Sequence, residues 1–178
     1  MSRTVSKSLA IAAFGVVLGG CGVTQSVTDA TTSTTEAIFY KQVKTLRLDL
    51  SGRAALNTAG IDMNALSVPT LVRVYQLRDR KALERANYDS LLSHDERVLS
   101  VDLLDKRTLV IKPDEGAQLN IPLDKQARYV AVVALFREFD SRTDSWRLTL
   151  ARDDLDPDRV RVIELGGNRL TLRPLAKE

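Results

Sequence analysis

The segment "RYVAVVALF" (residues 128–136) is apolar almost throughout, and it decides which class of fold the chain adopts. An apolar run of this length, rich in β-branched residues, is typical of a central strand that is covered on both faces. Other segments around it alternate apolar and polar residues, which predicts half-buried strands. These segments are residues 44–52, 71–77, 107–113, 117–123, 146–150, 159–165 and 168–174. So many short strands in 178 residues indicate a β-sandwich.

Two short turn sequences predict how neighbouring strands connect. The tripeptide "DEG" (114–116) separates two predicted strands, which favours a β-hairpin. Gly166 and Gly167 separate the last two strands, and glycine supplies the positive φ that a tight hairpin turn requires. The sequence therefore predicts two antiparallel hairpins.

One region, residues 79–100, lacks strand alternation and is rich in helix-forming residues. Asp79 is a candidate cap for a first short helix. Ser93 and Glu96 have the spacing of a capping box ahead of another helix. The predicted fold is therefore mostly β, a sandwich of two antiparallel sheets with a short helical insertion.

The amino-terminal residues have the layout of a secretory signal peptide. Arg3 and Lys7 precede ten uncharged, mostly apolar residues from Leu9 to Leu18, a run too short to span a bilayer. Two glycines and Cys21, which is the single cysteine of the chain, follow this run. A cysteine in this position favours lipidation over a role as a small buried residue.

These features divide the chain into three parts. Residues 1–20 are the predicted signal peptide, residues 21–40 hold Cys21 and a tether rich in Ser and Thr, and residues 41–178 form the sandwich. The signal peptide contains two of the 26 Lys and Arg residues and none of the 23 acidic ones, so the mature net charge is +1. This near-neutral charge does not support nucleic-acid binding.

The sequence predicts neither an enzyme nor a metal or cofactor site. His94 is the single histidine, and its neighbours Ser93 and Asp95 are adjacent in sequence, which rarely builds a catalytic triad. The acidic segment Asp153 to Asp158 has partial calcium-loop spacing, but Arg159 occupies the place of the glycine that such a loop requires. A solvated turn is the favoured interpretation, and calcium binding stays open. We therefore expect a binding protein without a small-molecule substrate.

Two blocks of sequence resemble a known family. "VPTLVRVYQLRD" (68–79) and "ARYVAVVALFRE" (127–138) are similar to segments of the TssJ family, the outer-membrane lipoproteins of type VI secretion systems. "LGGC" (18–21) resembles the lipobox of bacterial lipoproteins. The resemblance implies a transthyretin-like sandwich and acyl chains on Cys21. It also implies attachment to the outer membrane, because Gly22 replaces the aspartate that retains relatives in the inner membrane.

The same resemblance implies a binding partner and the loop that contacts it. Members of the family bind the periplasmic C-terminal domain of TssM, with TssL completing the assembly, through the loop between the first two strands. That loop corresponds to Ala55 to Val68. The residues that it offers a partner are apolar or polar: Ile61, Met63, Leu66, Asn57, Asp62 and Asn64.

Two alternatives stay open at this point. Ile61 and Leu66 could instead fold back onto the sandwich as satellite core. The whole protein could also be a periplasmic ligand-binding lipoprotein, with a pocket between its sheet and its helices.

Overall fold

The computed structural model describes residues 43–59, 66–140 and 142–175, which form two four-stranded sheets packed face to face. The strands are β1 (Thr45–Gly52), β2 (Thr70–Leu77), β3 (Leu103–Ile111), β4 (Gly116–Pro122), β5 (Tyr129–Leu135), β6 (Arg147–Ala151), β7 (Arg161–Gly166) and β8 (Arg169–Leu172). The first sheet has the order β4-β1-β7-β8 and the second has the order β3-β2-β5-β6. The predicted two-sheet sandwich is confirmed. One pair departs from it, because β1 and β7 run parallel.

The burial of β1 and β5 follows their sequence patterns. Leu46, Leu48 and Leu50 of β1 are fully buried between the sheets, as the alternation predicts. In β5, the five consecutive residues 130–134 are all buried, so this strand is covered on both faces. Burying a side chain of this kind stabilises the fold by about 1.5–3 kcal/mol.

The predicted helical insertion contains two helices, α1 (Lys81–Arg85) and α2 (Tyr88–Leu99). The N-cap of α1 is Arg80 rather than the expected Asp79, which lies one residue earlier and accepts a hydrogen bond from the Lys81 amide at 3.1 Å. Asn87 caps α2 by accepting from the Ser90 amide at 2.8 Å.

The predicted second helix start at Ser93 coincides with a kink inside α2. His94, the next residue, has φ −143° and ψ 34°, outside the helical region. Two helical segments therefore meet end to end here, where the sequence suggested a capped start.

The predicted hairpin around "DEG" is wrong. The turn exists, since the Glu115 amide donates to the Lys112 carbonyl at 3.1 Å. However, β3 pairs with β2 in the second sheet and β4 pairs with β1 in the first. The segment therefore carries the chain from one sheet to the other, and alternation alone could not reveal the partner of each strand.

The predicted hairpin between β7 and β8 is present, with its turn one residue later than expected. Positive φ occurs at Gly167 (54°) and Asn168 (57°), whereas Gly166 still pairs with Arg169. Two consecutive residues of positive φ are typical of a type I′ turn, and asparagine tolerates that conformation better than most residues.

Candidate functional site

The connection between β1 and β2 crosses from the first sheet to the second at what we call the loop end of the sandwich, where β1 ends and β2 begins. Its described parts are residues 53–59, which we call the first leg, and residues 66–69, which we call the second leg. Leu56 is fully buried, and its carbonyl accepts from the Val68 amide at 3.2 Å. The two legs of the loop therefore contact each other and join the core. Of the predicted contact residues, Ile61, Asp62, Met63 and Asn64 lie outside the described residues.

Asn57 holds the loop in place. It has φ 51° and is only 3% exposed. Its Oδ1 accepts from the Arg137 amide at 2.7 Å, and its Nδ2 donates to the Pro69 carbonyl at 3.2 Å. The sequence suggested a polar contact for a partner, but this side chain is buried and already engaged within the chain. We therefore correct its role to that of a positioning residue.

Arg137 braces both legs of the loop. Its Nη2 donates to the Asn57 carbonyl at 3.0 Å and to the Leu66 carbonyl at 3.1 Å. Sequence reasoning missed this residue. The available signal was a cation two residues after the central strand, in one of the two blocks that carry the family resemblance.

The β7–β8 turn supports the first leg from the other side. The Gly167 amide donates to the Ala55 carbonyl at 2.8 Å, and Asn168 Nδ2 donates to the Thr58 carbonyl at 2.7 Å. The β7–β8 turn of the first sheet and Arg137, which follows β5 of the second sheet, therefore both hold the backbone of the loop in place.

Of the two predicted contact residues that the structure describes, Leu66 is accessible and Asn57 is buried. The side chain of Leu66 is 65% exposed, so this residue does not belong to a satellite core. It lies directly beside the Arg137 brace, because its own carbonyl accepts one of the Arg137 hydrogen bonds. An exposed leucine on a fixed backbone is an available apolar contact for another protein.

Charged side chains flank the first leg. Arg53 Nη2 lies 2.6 Å from Glu164 Oε2, and Arg173 Nε lies 3.0 Å from Glu164 Oε1. The hydrogen bond from Arg53, followed by the charges of Arg53 and Arg173, lowers the pKa of Glu164 below its ordinary value. The rim of the loop end therefore holds an ionised carboxylate between two cations.

A second polar cluster fastens helix α2 to the second sheet. Tyr75 Oη donates to Asp95 Oδ2 at 2.8 Å, and the same oxygen lies 2.8 Å from Lys106 Nζ and 3.2 Å from Arg73 Nη1. Burial on its own raises the pKa of Asp95. The hydrogen bonds from Lys106 and Tyr75 and the charge of Arg73 outweigh this, so the pKa lies below its ordinary value. Burial raises the pKa of Tyr75.

The other candidate groups form no catalytic or metal-binding arrangement among the described residues. Ser93 and His94 are exposed at the kink, whereas Asp95 is buried and bonded to Tyr75. Asp156 accepts from the amides of its own turn and pairs with Arg159 at 2.7 Å. In the part of the chain that the structure describes, no three metal-ligating side chains gather in one place. Cys21 lies outside the described residues.

Comparison with known proteins defines the class to which this sandwich belongs. A chain of a solved type VI membrane complex is 37% identical, with a TM-score of 0.70, and the match covers 75% of this chain and all of that one. A chain of the structure described as the T6SS protein TssM C-terminal domain (869–1107) from EAEC is 34% identical, with a TM-score of 0.67 and coverage of 75% and 100%. The T6SS lipoprotein TssJ1 from Pseudomonas aeruginosa shares the fold at 23% identity, with a TM-score of 0.59 and coverage of 75% and 99%.

The fold and its relatives are thus those of a type VI secretion lipoprotein. The family model described as T6SS-SciN, type VI secretion lipoprotein, VasD, EvfM, TssJ matches residues 44–168, more than half of the chain. The chain belongs to this family, as its resemblance predicted. No curated protein matches. Among residues 43–59, 66–140 and 142–175, no helix is long and apolar enough to cross a membrane.

Proposed function

We propose that the protein is an outer-membrane lipoprotein that docks the type VI secretion membrane complex by binding the periplasmic C-terminal domain of TssM through its β1–β2 loop. The observation that carries this proposal is the braced loop, in which Arg137 holds both legs while Leu66 stays exposed. The match to a chain of a type VI membrane complex supports the same role. TssL joins the assembly indirectly, through TssM.

Bracing matters because binding costs less when the contacting segment is already ordered. Each rotamer-rich side chain immobilised at an interface costs about 0.5–1.5 kcal/mol, and ordering backbone costs more. The hydrogen bonds from Arg137, Asn57 and Asn168 hold the legs of the loop before any partner arrives. Leu66 then supplies an apolar contact to TssM, and we propose the same role for Ile61 and Met63, which belong to the same connection in the sequence.

The anchor is proposed to be lipid on Cys21. One acyl chain gives only marginal attachment at about 0.8 kcal/mol per buried methylene, whereas several chains hold a protein stably. A complex attached in this way resists being pulled from the outer membrane when the secretion machine contracts. The role is mechanical and needs no catalysis.

A docking role fits the sandwich better than a ligand pocket between sheet and helices. Tyr75 of the second sheet and Leu91 of α2 are fully buried where these elements meet, as are Ala131 and Val133 on the same face of the sheet. In the described residues this interface is therefore closely packed.

The test separates anchoring from binding. Purified Cys21→Ser protein should capture the TssM periplasmic domain as well as the unaltered protein does, whereas cells carrying only this variant should lose secretion. Secretion at the normal level by a soluble Cys21→Ser protein would contradict the anchoring role. Absence of capture by the unaltered protein would contradict the docking role.

A further inference from the structure

The end of the sandwich opposite the loop is where the chain enters the domain. Val43 and Lys44 precede β1 and are held there, since Arg152 Nη2 donates to the Val43 carbonyl and the Leu123 amide donates to the Lys44 carbonyl, both at 2.8 Å. β1 runs from this amino-terminal end to the loop end, a distance of about 25 Å for eight residues. Val43, the first residue that the structure describes, therefore lies at the end that does not carry the TssM loop, and the segment that holds Cys21 precedes it in the sequence.

An open basic cleft lies at this amino-terminal end. It has a volume of about 490 Å³ and is lined by Arg78, Lys125, Gln126 and Arg128. Arg78 Nε donates to Gln126 Oε1 at 2.9 Å, and its Nη1 donates to the Val101 carbonyl at 3.2 Å, so the guanidinium is fixed in orientation. The part of the cleft that Arg78 and Gln126 form is therefore held by hydrogen bonds.

The positive charge of the cleft is not neutralised by its acidic neighbours. Asp79 pairs with Lys81, at 3.2 Å between Oδ2 and Nζ. Asp124 uses its Oδ1 to accept from the Gln126 amide at 2.7 Å. As far as the described residues extend, no carboxylate forms an ion pair with any of the three cations of the cleft. These cations are therefore available to an anionic ligand.

An exposed apolar side chain stands beside the cations. Val101 is 73% exposed, more than Leu66, and its carbonyl is the group that Arg78 binds. Apolar side chains flanked by Lys and Arg are typical of surfaces that bind at the membrane interface, where the cations meet anionic headgroups.

We propose that the basic cleft and Val101 contact the headgroups of anionic phospholipids in the membrane that holds the lipid anchor. This inference rests on the proposed anchoring through Cys21. It implies that the lipid and the cleft together orient the sandwich, so that the amino-terminal end faces the bilayer and the loop end points away from it. The loop is thereby presented to TssM rather than to lipid.

Lysine labelling of the lipidated protein tests the orientation. The protein is purified from membranes and reconstituted into vesicles of neutral lipid, or of neutral lipid with phosphatidylglycerol, and is then treated with an amine-acylating reagent. Lys125 should be protected on the anionic vesicles only. Lys112, which lies at the loop end and is 59% exposed, should be labelled equally on both. Equal labelling of Lys125 on both kinds of vesicle overturns the inference.

Substitutions test the cations themselves. Each basic residue near an anionic surface contributes about a five-fold change in binding. In the Cys21→Ser background, Lys125→Gln with Arg128→Gln should therefore weaken sedimentation with phosphatidylglycerol vesicles about 25-fold. The matched control, Arg142→Gln with Arg169→Gln, removes two exposed cations elsewhere and should leave binding unchanged. An equal loss in both variants, or no binding before substitution, contradicts the inference.

Two further readouts separate this inference from the proposed function. Flotation of the lipidated protein with vesicles reports the anchor alone, and capture of the TssM domain reports docking alone. The Lys125→Gln and Arg128→Gln variant should retain both. Loss of TssM capture in that variant would identify the cleft as a protein-binding surface and overturn the lipid assignment.

Discussion

Arg137 donates two hydrogen bonds to Asn57 across 80 positions of the sequence: its amide donates to Asn57 Oδ1 at 2.7 Å, and its Nη2 donates to the Asn57 carbonyl at 3.0 Å. Asn57 belongs to the loop between the two sheets, and Arg137 follows the central strand of the second sheet. These hydrogen bonds therefore attach the loop that we propose as the docking site to the residues that follow the buried strand β5.

Replacing Arg137 by glutamine should loosen the loop without unfolding the sandwich. The variant loses the hydrogen bonds to the carbonyls of Asn57 and Leu66. Hydrogen bonds that involve a charged group contribute about 1.5–3 kcal/mol each, so exchange of the Val68 amide, which donates to the Leu56 carbonyl across the loop, should quicken at least about ten-fold. Hydrogen-exchange mass spectrometry measures this, with Arg142→Gln as control. Unchanged exchange would show that Arg137 does not brace the loop.

Two substitutions at Asn57 distinguish the energetic cost of its positive φ from the contribution of its side-chain hydrogen bonds. Asn57→Gly keeps access to positive φ and loses the side-chain bonds, whereas Asn57→Ala loses both. Alanine should therefore destabilise the protein by about 1–2 kcal/mol more than glycine does, measured by urea unfolding. If the two variants are equally stable, the positive φ at this position contributes nothing.

Truncating Leu66 should weaken TssM binding and leave stability unchanged, because the side chain is 65% exposed. Removal of an apolar contact at an interface costs about 1–3 kcal/mol, or a rise in Kd of about 5-fold to 150-fold, for Leu66→Ala. The control is Val110→Ala, which truncates a 58% exposed side chain on β3. A similar loss of affinity in both variants would argue against the loop.

The pH dependence of stability should report the buried cluster at Asp95. Its folded pKa lies below the ordinary value of 3.8, so the stability that it contributes is present above that pH and is lost as the pH falls through the folded pKa. Asp95→Asn should therefore be less stable than the unaltered protein at neutral pH, and the difference should shrink below about pH 4. Urea titrations at several pH values measure this. A difference that stays constant with pH would contradict it.

Much of the fold could be predicted from local pattern. The leucines of β1 and the apolar run of β5 each gave the correct strand, because burial on one face leaves an alternating pattern and burial on both faces leaves a continuous apolar run. The pairing of β3 and β4 with different sheets could not be predicted in this way. Strand pairing depends on contacts between residues that are distant in the sequence. The same turn sequence can join two paired strands of one sheet or connect strands in different sheets.

The candidate site could be predicted only as a segment. The family resemblance pointed to the connection between the first two strands. The roles within it depend on hydrogen bonds from Arg137 and Asn168, which are more than 70 residues away in the sequence. Asn57 was therefore mistaken for a contact residue, since polarity in a loop does not reveal whether the side chain faces solvent or the protein.

The central claim is that the β1–β2 loop binds the periplasmic C-terminal domain of TssM. The most direct measurement is the affinity of the purified protein for that domain, compared with a variant in which residues 59–65 are replaced by glycine and serine. Thr58 and Leu66, whose carbonyls receive the supporting hydrogen bonds, are kept. We predict tight binding by the unaltered protein and no detectable binding by the folded variant. Equal affinity of the two proteins would contradict the account.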